Sequence, residues 1–346
     1  MRLLVLGGTS FLSRQIAYDA VTRRHDVVCA ARGRSGSVPE GARLLALDRD
    51  EPGAVDVLTG ERFDAVVDVA TGALGWVLDA LAVLADRVEH WTFVSSINAY
   101  ADTGTPGQTT KAPLCEPVLE TQHFALSDLT VERYGGTKVA SENAVRERMG
   151  PDRSFVVRPG IISGPGDEMD RFGYWTARFA RGGQAIVPDT PHPPIQHIDV
   201  RDLAAWIVTA CEQRLAGTYD AVGPVLELGA VLREASELVG AADLRLVPFS
   251  PEVLVEAGVN PWGGPRSLPL WLPADKHGLV AHDPRPALAA GLRPRSLADT
   301  VRSAFADEQA RGLDRPRAAG LTPAEEREVL HRTVPEPDGG DHSGRY

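Results

Sequence analysis

Cysteine is scarce in this chain. There are three in 346 residues, Cys29, Cys115 and Cys211, each standing alone. They show neither the even-numbered framework of a disulfide-stapled fold nor the spacing of metal ligands. Each is therefore expected as a small buried or half-buried hydrophobe, and no metal site is expected. No apolar run approaches the roughly 18 to 20 residues that a membrane span needs, and the first residues read as core strand rather than signal peptide. The expectation is a soluble, cytoplasmic protein with no membrane partner. Positive charge is also in deficit, 36 basic against 47 acidic side chains for a net charge of −11, which argues against a nucleic-acid footprint. No internal repeat is visible. What is present is an ordinary globular composition, 43% hydrophobic and 24% charged, enough for a sizeable core in one elaborated α/β domain or in two domains.

The organising stretch is MRLLVLGGTSFLSRQ. Arg2 to Leu6 reads as a buried strand, Gly7 and Gly8 as a sharp turn, and Phe11 to Ala20 as a helix. The free N–H groups and positive dipole end of that helix favour an anionic pyrophosphate. The fingerprint stands as Gly7-x-x-Ser10-x-x-Ser13, with serines in place of two glycines. His25 to Ala31 reads as a second strand, and the position after it selects the cofactor ribose. There is no acid there to grip a 2′-hydroxyl; Arg32 and Arg34 are instead placed to meet a 2′-phosphate, so NADP is expected in preference to NAD. Arg43 to Leu47 is a third strand, from whose end Asp48 and Arg49 can reach the adenine edge. Phe63 to Ala70 and His90 to Ser95 follow with a helix between them, which places Ala70 and Thr71 at a strand's carboxyl end. Alternating strands and helices imply an α/β fold with a doubly wound parallel sheet.

Residues 101–130 are polar and proline-rich without periodicity and read as a binding loop or lid. Tyr134 to Arg148 has helical periodicity, Ser154 to Arg158 is a sixth strand, Phe172 to Arg181 an aromatic helix, and Gln196 to Val200 a short strand leading into a helix from Asp202 to Cys211. Pro248 to Pro273 reads as a substrate-side cap, Leu297 to Arg311 as a closing helix, and Thr322 to Arg332 as a peripheral helix with a capping pattern. The terminal VPEPDGGDHSGRY is expected to be disordered.

Chemistry is carried by Ser96, Tyr134 and Lys138. Tyr134 and Lys138, four apart, project from one helix face. A nearby ammonium favours phenolate and brings a phenol of ordinary pKa about 10 toward the working range. Ser96, at the end of the fifth strand, would hydrogen-bond the substrate oxygen whose proton Tyr134 moves. Arg201 and Arg158 could bind a substrate phosphate, with Arg158 read first as half of a core ion pair.

The segments LVLGGTSFLSR, FVSSINAY, YGGTK, VRPGIISGPGD and IQHIDVRDLA, in that order over residues 1 to about 210, resemble the extended or atypical short-chain dehydrogenase/reductases of the NAD(P)-dependent epimerase/dehydratase branch. The resemblance implies a Rossmann sheet with a smaller C-terminal α/β substrate-binding part, catalytic Ser96, Tyr134 and Lys138, a segment Pro159, Gly160, Ile161 and Ile162 beside the nicotinamide, a helix-supporting Asp202, and a homodimer. The cofactor set is then Gly7, Thr9, Ser10, Phe11, Leu12, Arg32, Arg34, Asp48, Arg49, Ala70, Thr71, Ser95, Tyr134, Lys138 and Pro159 to Ile162. The substrate set is Asn98, His197 and Arg201. The expected division is a dinucleotide-binding part over 1–165, its sheet completed by about 195–225, a substrate part over 166–195 and 225–320, and a periphery over 321–346. Ser163 replaces the family's tyrosine, and no Thr-Asp-Glu triplet follows the fifth strand, which argues against dehydration. The expected activity is hydride transfer to or from a secondary alcohol or ketone of a sugar-like or secondary-metabolite small molecule. An epimerase with tightly held NAD, or a non-catalytic dinucleotide-sensing or RNA-binding protein, are the alternatives.

Overall fold

The computed structural model describes residues 1–124 and 130–333. The expectation of a disordered terminal stretch lies outside the described residues, as does a short part of the 101–130 loop.

Apolar runs too short for helices and bounded by turn residues make the parallel strands. The first passage of the chain gives β1 (Arg2–Leu6), α1 (Phe11–Thr22), β2 (Asp26–Ala31), β3 (Arg43–Ala46), β4 (Ala65–Asp68), α2 (Leu74–Leu84), β5 (His90–Val94), α3 (Val131–Met149), β6 (Ser154–Pro159) and β7 (Ile161–Ser163). Then come α4 (Arg171–Ala180), β8 (Gln184–Pro188), β9 (Pro194–Ile195), β10 (His197–Asp199), α5 (Val200–Gln213), β11 (Gly217–Ala221), β12 (Leu226–Glu227), α6 (Leu228–Val239) and β13 (Arg245–Phe249). The chain closes with α7 (Pro251–Glu256), β14 (Asn260–Trp262), β15 (Ser267–Pro269), α8 (Arg285–Ala289), α9 (Leu297–Arg311) and α10 (Pro323–Thr333).

Seven strands form one parallel sheet in the order β3-β2-β1-β4-β5-β6-β11. The reversal of strand order between β1 and β4 opens a crevice at the strands' carboxyl ends, where such sheets bind ligands. Because side chains alternate along a strand, Leu3, Val5, Val27 and Cys29 face α1 and α5, while Leu4, Leu6, Val28 and Ala30 join a core with α2 and Met149 of α3. Burying each large apolar side chain contributes about 1.5–3 kcal/mol, so both faces are firmly sealed. Cys29 and Cys211 are buried and Cys115 half-buried, all three free.

The chain divides into two compact units. The first holds residues 1–166, 194–226 and 274–300; the second holds 167–193, 227–273 and 301–346. In the second, β8 pairs in parallel with β13 and β14 with β15. Trp175, buried, donates its indole N–H to the Pro269 carbonyl at 2.8 Å, so it is a packing residue. Several elements go unread in the sequence, among them β11, β13 and α6. The first is a five-residue GTYDA with little apolar content. The last buries Leu228, Val231, Leu232 and Ala235, a helical spacing that was there to be used. Several expected strands also stop a residue or two short, β4 at both ends and β3 and β5 at the carboxyl end; beyond β3 and β4 the chain leaves the sheet to line the crevice. Among the described residues no helix is long and apolar enough to cross a membrane.

Candidate active site

The crevice is a cavity of about 450 Å³ at the carboxyl ends of β1, β2, β3 and β4. Its floor is the first turn. Gly7 and Gly8 adopt φ of +135° and +108°, open to glycine and strained for other residues. A Cβ on Gly7 would lie 2.8 Å from Val69 Cγ2, and one on Gly8 2.4 Å from Cys29 Sγ, so the turn is also packed from beneath. Ser13, in the third fingerprint position, ties its hydroxyl to the Ser10 carbonyl at 2.8 Å. At the start of α1, Ser10 makes no side-chain cap and the first turn has no acid, unlike α5, where Asp199 accepts from Arg201 N. The free N–H groups of α1 therefore remain for an anion, which fits a dinucleotide pyrophosphate.

Thr9, Ser10, Arg32, Asp48, Arg49, Ala70 and Thr71 line this cavity with Gly7. Arg34 is exposed and outside the lining. Phe11, at φ +33°, begins α1 rather than facing the cavity, and Leu12 is buried in the core. Arg49 is not available to an adenine edge: its guanidinium forks onto the fully buried Asp68 at 2.9 and 3.2 Å and donates to the Trp76 carbonyl at 2.5 Å. Asp68 in turn accepts Ala70 N–H at 3.0 Å and so shapes the β4 exit. The lining also includes Trp76, His123 and Phe124. Trp76 and His123 stack at 4.4 Å, and both reach Asp50, the indole N–H at 3.0 Å and His123 Nδ1 at 3.3 Å. Part of the aperiodic 101–130 loop thus walls this cavity, a role that only the scarcity of aromatics elsewhere in that loop hints at.

Lys138 is buried, and its ammonium donates to the Ala70 carbonyl at 2.5 Å and the Val94 carbonyl at 2.8 Å, at the ends of β4 and β5. It lies 5.7 Å from the Tyr134 ring centroid and 5.1 Å from that of Phe93. Burial pulls its pKa down to about 8, with the charges of Asp68 and Glu142 pulling the other way. Ala70 is a cavity wall residue, so one contact joins α3 to the cavity.

Ser96 is buried and caps a short 3-10 turn at Ile97–Ala99, its hydroxyl accepting Asn98 N–H at 3.1 Å. The helix bearing Tyr134 touches this turn because of its glycines. A Cβ on Gly135 would lie 2.1 Å from the Asn98 carbonyl oxygen, and one on Gly136 2.5 Å from that of Glu116. In YGGTK it is Gly135 that lets Tyr134 and the Ser96 turn share one neighbourhood.

Behind them runs a buried polar chain that the sequence reading did not assemble. Ser95 donates to Glu142 Oε1 at 2.5 Å, Arg158 forks onto Glu142 at 2.8 and 2.6 Å and donates to Tyr100 Oη at 2.8 Å, and Tyr100 donates to Asp220 at 2.6 Å. Asp220 meets His282 Nδ1 at 3.3 Å. Burial pushes the Glu142 carboxyl up, but Arg158, Arg146 and Ser95 outweigh it and leave it below the usual range. Ser95 is therefore occupied by Glu142. Pro159, Gly160, Ile161 and Ile162 lie at the β6 exit, outside the cavity lining. His197 is paired through Nδ1 with Ser163 Oγ at 2.8 Å, and burial lowers its pKa to about 4 against the pull of Asp199 and Asp202, so it is neutral above that pH. Arg201 forks back onto Asp199 at 2.9 and 2.7 Å. Asp202 receives both backbone and guanidinium of Arg295. Among the described residues no cluster of His, Cys, Asp and Glu is gathered to hold a metal.

A family model for the NAD dependent epimerase/dehydratase family matches residues 3–222, more than half of the chain. A 2′-dehydrokanamycin reductase of Streptomyces kanamyceticus is 30% identical over 197 residues, 55% of this chain and 52% of that protein; the match spans about half the length of that relative. A UDP-N-acetylglucosamine 4-epimerase from Methanobrevibacter ruminantium M1, in complex with UDP-N-acetylmuramic acid, superposes with TM-score 0.65 at 13% identity over 90% of this chain and 99% of its own. WbmG of Bordetella bronchiseptica, solved with NAD, does so with TM-score 0.65 at 16% identity over 90% and 95%. These two likenesses establish a shared fold.

Two outcomes follow from the geometry. Arg49→Leu strands the Asp68 carboxylate in the core and should cost about 3–5 kcal/mol in a urea unfolding curve; a loss under about 1 kcal/mol would contradict the role given to the pair. Gly135→Ala should lower stability by about 1–3 kcal/mol and kcat with it, whereas Val131→Ala, exposed on the same helix, should leave both near wild type. Equal behaviour of the two variants would show that the close approach is not needed.

Proposed function

The chain belongs to the NAD dependent epimerase/dehydratase family and is an NAD(P)-dependent enzyme, and from that membership we propose that it is a reductase acting on a ketone or secondary alcohol of a sugar-like or secondary-metabolite substrate. The observation that carries this reading is Lys138, whose ammonium sits between the dinucleotide cavity wall and the Tyr134 ring. The 30% identity to a reductase of an aminoglycoside-type compound supports it. The epimerase alternative draws on solved epimerases that share only the fold at 13% identity. Membership in a family of enzymes sets aside the non-catalytic alternative.

The cavity fits a dinucleotide. The Gly7 turn and α1 N–H groups would hold the pyrophosphate, Thr71 and Ala70 the segment leading to the nicotinamide, and Arg32 a 2′-phosphate. Bound there, a nicotinamide dinucleotide supplies or accepts the hydride. Tyr134 gives its phenolic proton to the substrate oxygen as negative charge develops on it, or takes that proton in the reverse direction. The Ser96 hydroxyl donates a hydrogen bond to the same oxygen and fixes its position. The Lys138 ammonium favours the phenolate and so matches the tyrosine to proton transfer near neutral pH. Asn98, His197 and Arg201 are kept as substrate-side candidates, with His197 acting as a neutral hydrogen-bonding group. NADP preference rests on Arg32, a guanidinium that lines the cavity and has no carboxylate partner among the described residues. A homodimer and a cytoplasmic location complete the reading.

Tyr134→Phe should lower kcat by about 10²–10⁴-fold while dinucleotide affinity, measured by titration, stays within about threefold; turnover near the wild-type rate would end the catalytic assignment. Arg32→Ala should weaken NADP by about tenfold or more, the worth of a charge-assisted fork, and leave NAD nearly unchanged. Equal weakening of both would contradict the preference.

A further inference from the structure

The second unit has its own cleft of about 320 Å³, formed by α4 and by the 314–323 segment that leads into α10. Four arginines, Arg178, Arg181, Arg315 and Arg317, line it against one carboxylate, Asp314. Three of the four are matched inside the protein. Arg178 forks onto Glu326 at 2.8 and 2.7 Å and donates to the Gly182 and Gln184 carbonyls. Arg315 pairs with Asp170 and Glu308, and Arg317 donates to Glu308 at 2.7 Å. Those carboxylates are 2–5% exposed and stand outside the lining, so the acids sit behind the arginines and the cations front the cleft.

Arg181 is different. It is half-buried and has no ion pair or side-chain hydrogen bond among the described residues. Burial and the neighbouring Arg178 and Arg317 disfavour its charge, with Glu326 and Tyr174 opposing them. A guanidinium nevertheless keeps its proton, so a cation with five unused donors faces a cleft in which Asp314 is the one lining carboxylate among the described residues. Tyr174, buried, belongs to the same lining.

We propose that this cleft binds the phosphate group of a small metabolite, gripped by the guanidinium fork of Arg181 in the field of Arg178, Arg315 and Arg317. The fork matches two phosphate oxygens bidentately. A dianion is favoured over a monocarboxylate because the three neighbouring ion pairs turn their cationic ends to the cleft and keep their carboxylates behind, so an anion at Arg181 lies nearer the positive ends. The cleft is larger than one phosphate, so it has room for an organic group on the fourth oxygen. This site is separate in residues from the dinucleotide cavity, and it stands whether or not the reductase reading does.

The test uses the full chain saturated with dinucleotide, so that added phosphate does not enter the first cavity. Calorimetric titration with inorganic phosphate and with a hexose phosphate, in chloride buffer of constant ionic strength, should show saturable binding of one equivalent; sodium acetate should show at least tenfold weaker binding. Tighter binding of the hexose phosphate identifies an ester as the ligand, and equal binding identifies free phosphate. R181Q should weaken either by at least tenfold, and R181K should lose less. Because Arg181 gives up no partner, R181Q in phosphate-free buffer should melt no lower than wild type. No saturable binding, acetate binding as well as phosphate, or an unchanged affinity in R181Q would overturn the proposal.

Discussion

A single buried ammonium holds this site together. Lys138 reaches out of α3 to the last carbonyls of β4 and β5, where the sheet's crevice begins. Taking that charge out of water is costly, and a pKa depressed to about 8 from an ordinary value near 10.4 corresponds to a residual cost of about 3 kcal/mol. The sign follows from that direction. Below pH 8 the folded protein carries the whole of this cost, and the cost fades as pH rises from 8 toward the unfolded value, where both states become neutral. The expense is tolerated because the charge lies in an alternating row, Arg49 and Asp68 on one side and Glu142 and Arg158 on the other. Removing a member leaves its neighbour buried and unmatched.

That row explains why distant stretches of the chain act as one site. Asp68 sets the exit of β4 and hence the cavity edge at Ala70, while Glu142 fixes Ser95 and Arg158 and thereby locks α3 to β5 and β6. Within this frame Gly135 allows the helix to lie on the Ser96 turn with no side chain between, and Gly136 lets the Glu116 backbone approach. Polar groups at depth are satisfied as a connected network, which rigidifies a site more than isolated pairs would. The phenol is thus carried by a helix anchored at Lys138, one turn on, and at Glu142, two turns on.

The parallel sheet was legible from the spacing of apolar runs, since a strand buried on both faces has no other way to read than RLLVL or AVVD. The Ser96, Tyr134 and Lys138 set was legible from residue type, order and helical spacing, and Arg158 as an ion-paired core residue from its place inside an apolar strand. What escaped depends on contacts between segments far apart in the chain. Arg49 looked like a free cation at a strand end, but its partner, Asp68, is nineteen residues on. Ser95 and Ser96 look alike in sequence, and only Glu142, 47 residues beyond Ser95, tells them apart. His123 sits in a loop with no period, so nothing local could place it beside Trp76. Short β11, with a glycine and an aspartate among five residues, lacks the apolar signal because its strand is completed by neighbours rather than by its own pattern.

The chain has three lysines, Lys111, Lys138 and Lys276, which makes the state of the buried one directly observable. Carbon-13 labelling of lysine, followed by nuclear magnetic resonance across the alkaline range, gives three Cε signals, with Lys138 assigned by its loss in Lys138→Arg. A midpoint for Lys138 at about 8 is the expected result. A midpoint at the ordinary lysine value of about 10.4 would mean that the ammonium remains hydrated, and would contradict its place between the strand ends and the tyrosine.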